Sequence, residues 1–219
     1  MKKLNKKQRI TLELVVKSGV TKNFYLAGGT ALTIKYGHRI SEDFDFFLYP
    51  DKKIDFLKLL SKIEGMAKDV SLEVEELTKD TLIFYLDGIK FSFFEYSYPL
   101  LRPASTMSIG NNCIMIASDP DISAMKAIAI IQRGEKKDFY DLWFLMQKNK
   151  WGINDICNFC KHKYQRVFPV RTFLKSIVYF EDAERSKIPD IEPYWEEVKD
   201  LFKREIKQLF EHYMKDVTN

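Results

Sequence analysis

The chain has 219 residues, of which 46% are hydrophobic and 30% charged, with a formal net charge of +4. That length suits one large domain or two small ones, and that balance excludes a disordered chain. The mild positive charge suits an anionic partner but does not mark a nucleic-acid binder, and no apolar run reaches the length of a membrane span.

The opening Met1-Lys2-Lys3-Leu4-Asn5-Lys6-Lys7 is charged and has no unbroken apolar stretch behind it, so a secretory signal is not expected. Three cysteines cannot all pair within one chain. A reduced, cytoplasmic setting without a membrane partner is the simpler expectation.

From Lys7 to Ser18 the apolar residues Ile10, Leu12, Leu14, Val15 and Val16 predict a helix ending near Gly19. Phe24–Ala27 is a short apolar run that enters Gly28-Gly29, a strand running into a glycine turn. Thr30–Tyr36 then reads as a helix, with Thr30 placed to cap its start and Gly37 to end it. Asp43–Leu48 reads as a strand, punctuated by Pro50 and Asp51. Ile54–Lys68 carries helical spacing in Ile54, Leu57, Leu60 and Ile63. Ser71–Glu76, Thr81–Leu86 and Ile89–Tyr96 read as strands, the last two flanking the hairpin dipeptide Asp87-Gly88.

The character changes after Pro103. Asp119-Pro120 opens a helix that stops at Gly134, Lys137–Gln147 forms a second, and the rest reads as mostly helical with interruptions near Pro169, Pro189 and Pro193. The expected fold class is α+β: an α/β core over residues 1–105, then a helical region over 106–219. No internal repeat or low-complexity tract is visible.

The chemistry concentrates in Gly28-Gly29-Thr30, His38-Arg39 and Ser41-Glu42-Asp43-Phe44-Asp45. Residues two apart in a strand share a face, so Asp43 and Asp45 project together. Adjacent carboxylates repel unless a cation lies between them. Mg²⁺ favours a few carboxylates completed by water and phosphate oxygens. A strand turning through Gly-Gly into a helix lets the backbone approach a ligand and aims N–H groups at an anion. A triphosphate gripped there and bridged to Asp43 and Asp45 would be set for displacement of pyrophosphate by a hydroxyl. Arg39 can reach phosphate or a site carboxylate, or serve as a structural ion pair.

Gly28-Gly29-Thr30-Ala31-Leu32 followed by His38-Arg39-Ile40-Ser41-Glu42-Asp43-Phe44-Asp45-Phe46-Phe47 resembles the AbiEii/AbiGii nucleotidyltransferase toxins of type IV toxin–antitoxin systems. Lys126, Arg133 and Lys137-Asp138-Phe139-Tyr140-Asp141-Leu142 resemble that family's second block. The resemblance implies a polymerase-β-like core with a small mixed sheet, followed by helices that complete the active site. It places the metal pair, for Mg²⁺ or Mn²⁺, on Asp43 and Asp45. The phosphate-gripping turn falls on Gly28, Gly29 and Thr30, with Arg39 and Ser41 beside it. The functional lysine falls on Lys126 and the helical acidic motif on Asp138 and Asp141. The implied activity is transfer of NMP from a nucleoside triphosphate to an acceptor, tRNA in some members, with a cognate antitoxin encoded nearby.

One departure concerns the third carboxylate that many nucleotidyltransferases carry on a later strand. Its expected position is Ser92, and Glu95 lies on the opposite face unless a bulge intervenes. A module that binds nucleotide without turnover, or transfer to a protein or small-molecule hydroxyl, are the alternative functions.

Physically, Phe139, Leu142, Trp143 and Met146 make the buried stripe of an amphipathic helix, on whose first turns acids such as Asp138 and Asp141 are favoured by the dipole alone. Lys126 either snorkels from a core helix or meets phosphate oxygens. Arg133, Lys136 and Lys137 form a basic cluster, solvated or facing an acceptor RNA. Cys157, Cys160 and His162 read as a helix with two partly buried thiols rather than a zinc site. Val198, Leu201, Phe202, Ile206, Leu209, Phe210 and Tyr213 predict an amphipathic C-terminal helix.

Overall fold

The computed structural model describes residues 3–218, with side chains as far as residue 211. Met1, Lys2 and the side chain of Tyr213 therefore lie outside the described residues. The chain divides into two compact units, Met1–Ser118 and Asp119–Asn219.

The first unit runs α1 (Lys6–Lys17), β1 (Phe24–Ala27), α2 (Gly28–Tyr36), β2 (Phe44–Leu48), α3 (Phe56–Met66), β3 (Leu72–Leu77), β4 (Thr81–Leu86), β5 (Ile89–Phe94), β6 (Ser105–Ile109) and β7 (Asn112–Ile116). Among the described residues the strands form one seven-stranded sheet in the order β3-β4-β5-β2-β1-β7-β6. The sheet is mixed: β2 runs antiparallel to β1 and parallel to β5, and β1 runs parallel to β7.

Alternation sorts the strand residues into two faces. Phe24, Phe44, Phe46, Phe84, Phe91 and Phe93 are fully buried on one of them. Their rings lie in cross-strand contact, Phe44 on Phe91 at 4.9 Å, Phe46 on Phe93 at 5.0 Å and Phe24 edge-on to Phe93 at 5.0 Å. Such pairs contribute about 0.5–1.5 kcal/mol each beyond their buried area, and they pin the register of β2 between β1 and β5. The opposite face carries Asp45, Phe47, Thr81, Ile83, Tyr85, Lys90 and Phe94, all only partly buried.

Most elements lie where hydrophobic spacing places them. Asn5 caps α1 in a reciprocal box with Gln8, Gly37 ends α2 in the left-handed region at φ 66°, and Asp87 and Gly88 take φ 51° and 74° in the β4–β5 hairpin. Two differences stand out. Asp43 precedes β2 rather than opening it. The β6–β7 hairpin over 105–116 is additional, so the division expected at residue 105 falls before that hairpin and the units part at Ser118/Asp119. Its strands, Ser-Thr-Met-Ser-Ile and Asn-Cys-Ile-Met-Ile, are short, and β6 is largely exposed at the sheet edge. β6 alternates only in Met107 and Ile109, and β7 is a four-residue apolar run over 113–116, which makes such a pair hard to read.

The second unit contains α4 (Asp119–Gln132), α5 (Lys136–Asn149), α6 (Ile153–Tyr164), α7 (Val170–Ser176), α8 (Glu181–Glu184) and α9 (Trp195–Thr218), with short 3-10 turns at Gln165–Val167 and Glu192–Tyr194. Phe139 on α5 is its packing centre, with ring centroids 5.3 Å from Phe180, 6.0 Å from Trp195 and 6.2 Å from Phe202. Along α9 the stripe Val198, Leu201, Phe202 and Ile206 is buried, while Phe210 is exposed. Lys163 and Asp121 form an ion pair at 2.8 Å with neither side chain exposed. Burial pulls the Lys163 pKa down, and Asp121 opposes that shift.

Candidate active site

At the end of β1 the backbone turns at Gly28 with φ +70°, a conformation that costs a residue with a Cβ about 1–2 kcal/mol. Space adds a second constraint. A Cβ on Gly28 would lie 3.0 Å from Asp45 Oδ2. Register explains the proximity, because Ala27 pairs with Asp45 across β1 and β2. Gly29 is constrained differently: a Cβ there would overlap the Arg39 guanidinium and sit 3.0 Å from Ser41 Oγ. The α2 helix starts in this turn, with Ala27 at its N-cap and no side-chain cap. Its first N–H groups and the positive end of its dipole thus sit beside a carboxylate-bearing strand end.

Thr30 does not cap the helix. It is buried inside the first turn, where its Oγ1 donates to the Asp43 carbonyl and is hydrogen-bonded with Ser41 Oγ at 2.8 Å. This ties the helix start to the segment entering β2. Arg39 is 4% exposed beneath Gly29, with Nη1 donating to the Ile40 carbonyl at 2.8 Å and its own carbonyl accepting from Thr33 Oγ1 at 2.9 Å. Gln8 reaches from α1 to the same segment, donating to the carbonyls of Ser41 at 2.8 Å and Glu42 at 3.2 Å. Gln8 and Thr33 are supports that motif reading missed. The capping-box spacing of Asn5 and Gln8 is the signal that makes Gln8 visible.

These contacts predict that Gly29→Ala will do more than add a methyl. The overlap with Arg39 must be relieved by moving the guanidinium or the helix start, at about 1–3 kcal/mol. A displacement of that size in a site that positions reacting groups costs about 10²-fold in rate. Thermal melting and kcat/KM measured on the same preparation check both parts.

Asp45 is half-buried and Asp43 exposed. Across the sheet Asp45 pairs with Ser92, and Ser92 with Ile83. The β5 register runs unbroken from Ile89 to Phe94, so no bulge turns Glu95, and the third-carboxylate position is a buried serine. Among the described residues no group of three or more His, Cys, Asp or Glu could hold a metal ion alone. The Asp45 carboxylate beside the Gly28 turn, with exposed Asp43 two residues before it, fits Mg²⁺ or Mn²⁺ completed by substrate oxygens and water, and fits poorly an ion held by protein alone.

The second block forms its own cluster. Lys126 on α4 is 5% exposed, and its Nζ lies 2.8 Å from Asp138 Oδ1 and 2.7 Å from Asp141 Oδ2, both on fully buried side chains of α5. Arg133 grips Asp138 with Nε on Oδ2 at 2.8 Å and Nη2 on Oδ1 at 2.9 Å. Burial alone would raise the Asp138 pKa, but Lys126 and Arg133 overcome it and hold the carboxyl below its ordinary range. A carboxyl depressed on folding stabilises the fold above its unfolded pKa of about 4. That contribution is lost as pH falls through the folded value. The expected result is a melting temperature that drops below pH 4, with a shallower drop in Asp138→Asn.

A model of the family described as "Nucleotidyl transferase AbiEii toxin, Type IV TA system" matches residues 11–216. The chain belongs to the AbiEii nucleotidyltransferase toxin family. A protein of Aquifex aeolicus (strain VF5), aq_aa25, is 52% identical over 213 residues, spanning 97% of this AbiEii chain and all of that protein. Among solved structures, JHP933 from Helicobacter pylori aligns with a TM-score of 0.52 at 18% identity, covering 99% of this chain and 100% of that one. ANT(2″)-Ia in complex with adenylyl-2″-tobramycin aligns with a TM-score of 0.52 at 11% identity, over 74% and 99%. These likenesses place the AbiEii chain in the nucleotidyltransferase fold.

Within this AbiEii protein, Gly28, Gly29, Thr30, Arg39, Ser41, Asp43 and Asp45 come together in the first unit, and Lys126, Asp138 and Asp141 in the second. The basic cluster is not a free cationic patch. Lys136 is 1% exposed, with Nζ 2.8 Å from Glu192 and 5.0 Å from the Trp195 ring centroid. Lys137 pairs with Glu135 at 2.8 Å, and Arg133 is committed to Asp138. Cys157 and Cys160 are buried free thiols of α6, and burial raises the Cys160 pKa strongly. Among the described residues no helix is long and apolar enough to cross a membrane.

Proposed function

We propose that this AbiEii-family protein transfers NMP from a nucleoside triphosphate to a hydroxyl of an RNA acceptor, in a reaction dependent on Mg²⁺ or Mn²⁺. The observation that carries this reading is the placement of Asp45 against the Gly28 turn, where a carboxylate oxygen lies beside a helix start that has no side-chain cap. Gly28 and Gly29 let the backbone donate to the β- and γ-phosphates, and Thr30, Arg39 and Ser41 hold that turn in place. Asp43 and Asp45 are the residues that would hold the ion, which when bound supplies Lewis-acid polarisation of the α-phosphate.

The acceptor oxygen forms its bond to the α-phosphorus as the bond to pyrophosphate breaks, and the hydroxyl proton leaves to solvent or to a carboxylate. Ser92 can hydrogen-bond that hydroxyl but cannot take its proton as an aspartate would. In the second unit Lys126 is the proposed functional lysine, its ammonium fixed by Asp138 and Asp141. Further support comes from a structure of the same fold that holds a nucleotidylated product, adenylyl-2″-tobramycin.

Incubation with α- or γ-labelled nucleotides and total RNA tests the reaction. Label from the α position enters RNA if the reading is right, and label from the γ position does not. The Ser92 substitution favours one second reading, nucleotide binding without turnover. Tight binding of NTPs with no product across RNA, protein and small-molecule acceptors would establish it. An antitoxin is the proposed partner, and an antitoxin gene beside this one is the observation that supports it.

A further inference from the structure

In an in-line displacement the attacking oxygen approaches the α-phosphorus from the side opposite the departing pyrophosphate. The phosphate turn lies at the end of β1, on one side of Asp45. The strands on the other side of Asp45 are β5, β4 and β3, in that order. If the proposed reaction holds with the triphosphate running from the Gly28 turn toward Asp45, the acceptor comes in over β5 and β4.

That half of the sheet has a distinctive open face. Lys90 stands two residues before Ser92 on β5, so the two side chains share the face of Asp45. Tyr85 is the cross-strand partner of Lys90, and Glu73 that of Tyr85. Lys90 Nζ lies 5.5 Å from the Tyr85 ring centroid and 2.5 Å from Glu75 Oε2. Its side chain is 27% exposed. The β3 irregularity between Val74 and Glu76 falls at Glu75, the residue that reaches Lys90. Ser71, Glu73, Glu75, Tyr85 and Gly88 line a cleft of 440 Å³ beside this group.

We infer that Lys90 and Tyr85 form the docking subsite for the terminal nucleotide of a single-stranded RNA acceptor. Tyr85 supplies a ring on which one base can stack. Lys90 supplies one phosphate contact, exchanging its Glu75 carboxylate for the RNA phosphate. The next strand outward bears Glu73, Glu75 and Glu76, which repel a polyanion. The acceptor therefore presents an end at this point and does not lie as a duplex across the sheet.

Steady-state transfer to a single-stranded RNA end tests this subsite, using wild type, Tyr85→Ala, Tyr85→Phe and Lys90→Ala. Tyr85→Ala should raise KM for RNA about tenfold, with Tyr85→Phe near wild type. Lys90→Ala should raise it less and reduce the salt slope of log(1/KM) by about 1. KM for NTP should stay within about twofold in every variant. RNA KM and salt slope unchanged in both Ala variants would overturn the subsite while leaving the transfer reaction standing. A wild-type enzyme that labels protein and no RNA would overturn the choice of acceptor. No transfer by wild type to any acceptor would instead remove the reaction on which the subsite rests.

Discussion

Asp45→Asn should reduce nucleotidyl transfer by about 10³-fold while leaving the protein folded. The size follows from the role assigned to the carboxylate. Losing a ligand of the divalent ion removes several kcal/mol of transition-state stabilisation, and each 1.4 kcal/mol is about tenfold in rate. The fold should tolerate the change because Asp45 is only half-buried and Asn preserves its shape. The anchors of β2 are Phe44 and Phe46 on the other face, both fully buried. Melting should move by about 1 kcal/mol equivalent or less. The loss should appear in kcat/KM for NTP at every acceptor concentration. A deficit that saturating RNA restores would mean that Asp45 acts on the acceptor instead.

Lys126→Met should destabilise the protein by about 3–5 kcal/mol, the usual cost of breaking a buried ion pair from one side. Methionine preserves most of the lysine stem, so lost packing is minor and the electrostatic part dominates. The ammonium lies within 2.8 Å of Asp138 and 2.7 Å of Asp141, and neither carboxylate is exposed. Arg133 continues to hold Asp138, which offsets part of the penalty there. The melting temperature should drop by more than about 10 °C for a unit of this size. Adding Asp141→Asn to Lys126→Met should recover part of it, because the buried charge is then removed with its partner. A Lys126→Met protein that melts like wild type would mean that solvent or another cation satisfies the pair. Activity lost beyond the unfolded fraction would support the separate proposal that Lys126 has a functional role.

Several of these features were legible in the sequence for physical reasons. Gly28-Gly29 stands out because few residues tolerate a left-handed turn against a carboxylate; the pairing of acids expected from strand alternation in Asp43-Phe44-Asp45 is less direct, because β2 starts at Phe44 and holds only Asp45. The β4–β5 hairpin announces itself through Asp87-Gly88. The vacancy at the third-carboxylate position could be anticipated at Ser92, since an unbroken strand fixes which residue faces Asp45.

Other features could not be read, because they depend on contacts distant in sequence. Thr30 looks like a capping residue from its neighbours, yet its hydroxyl is drawn to the Asp43 carbonyl thirteen positions away. Arg39 leaves its options open in the sequence, and only the Gly29 environment shows it packed under the turn. Lys136 looks like part of a solvated cluster until Glu192 pairs with it and Trp195 covers it, whereas Arg133 and Lys137 stay partly exposed while pairing with Asp138 and Glu135. The β6–β7 hairpin is too short and too exposed to announce itself by periodicity, so the change in character after Pro103 falls before the true division between units.

Binding of Mn²⁺ followed by electron paramagnetic resonance, with each of the four α,β-methylene nucleoside triphosphates, tests the site without requiring an acceptor. Wild type should form a ternary complex in which free Mn²⁺ signal is lost, and Asp43→Asn and Asp45→Asn should each weaken it at least tenfold. Equal Mn²⁺–nucleotide affinity in wild type and both variants would contradict a site built from these two carboxylates and the Gly28 turn.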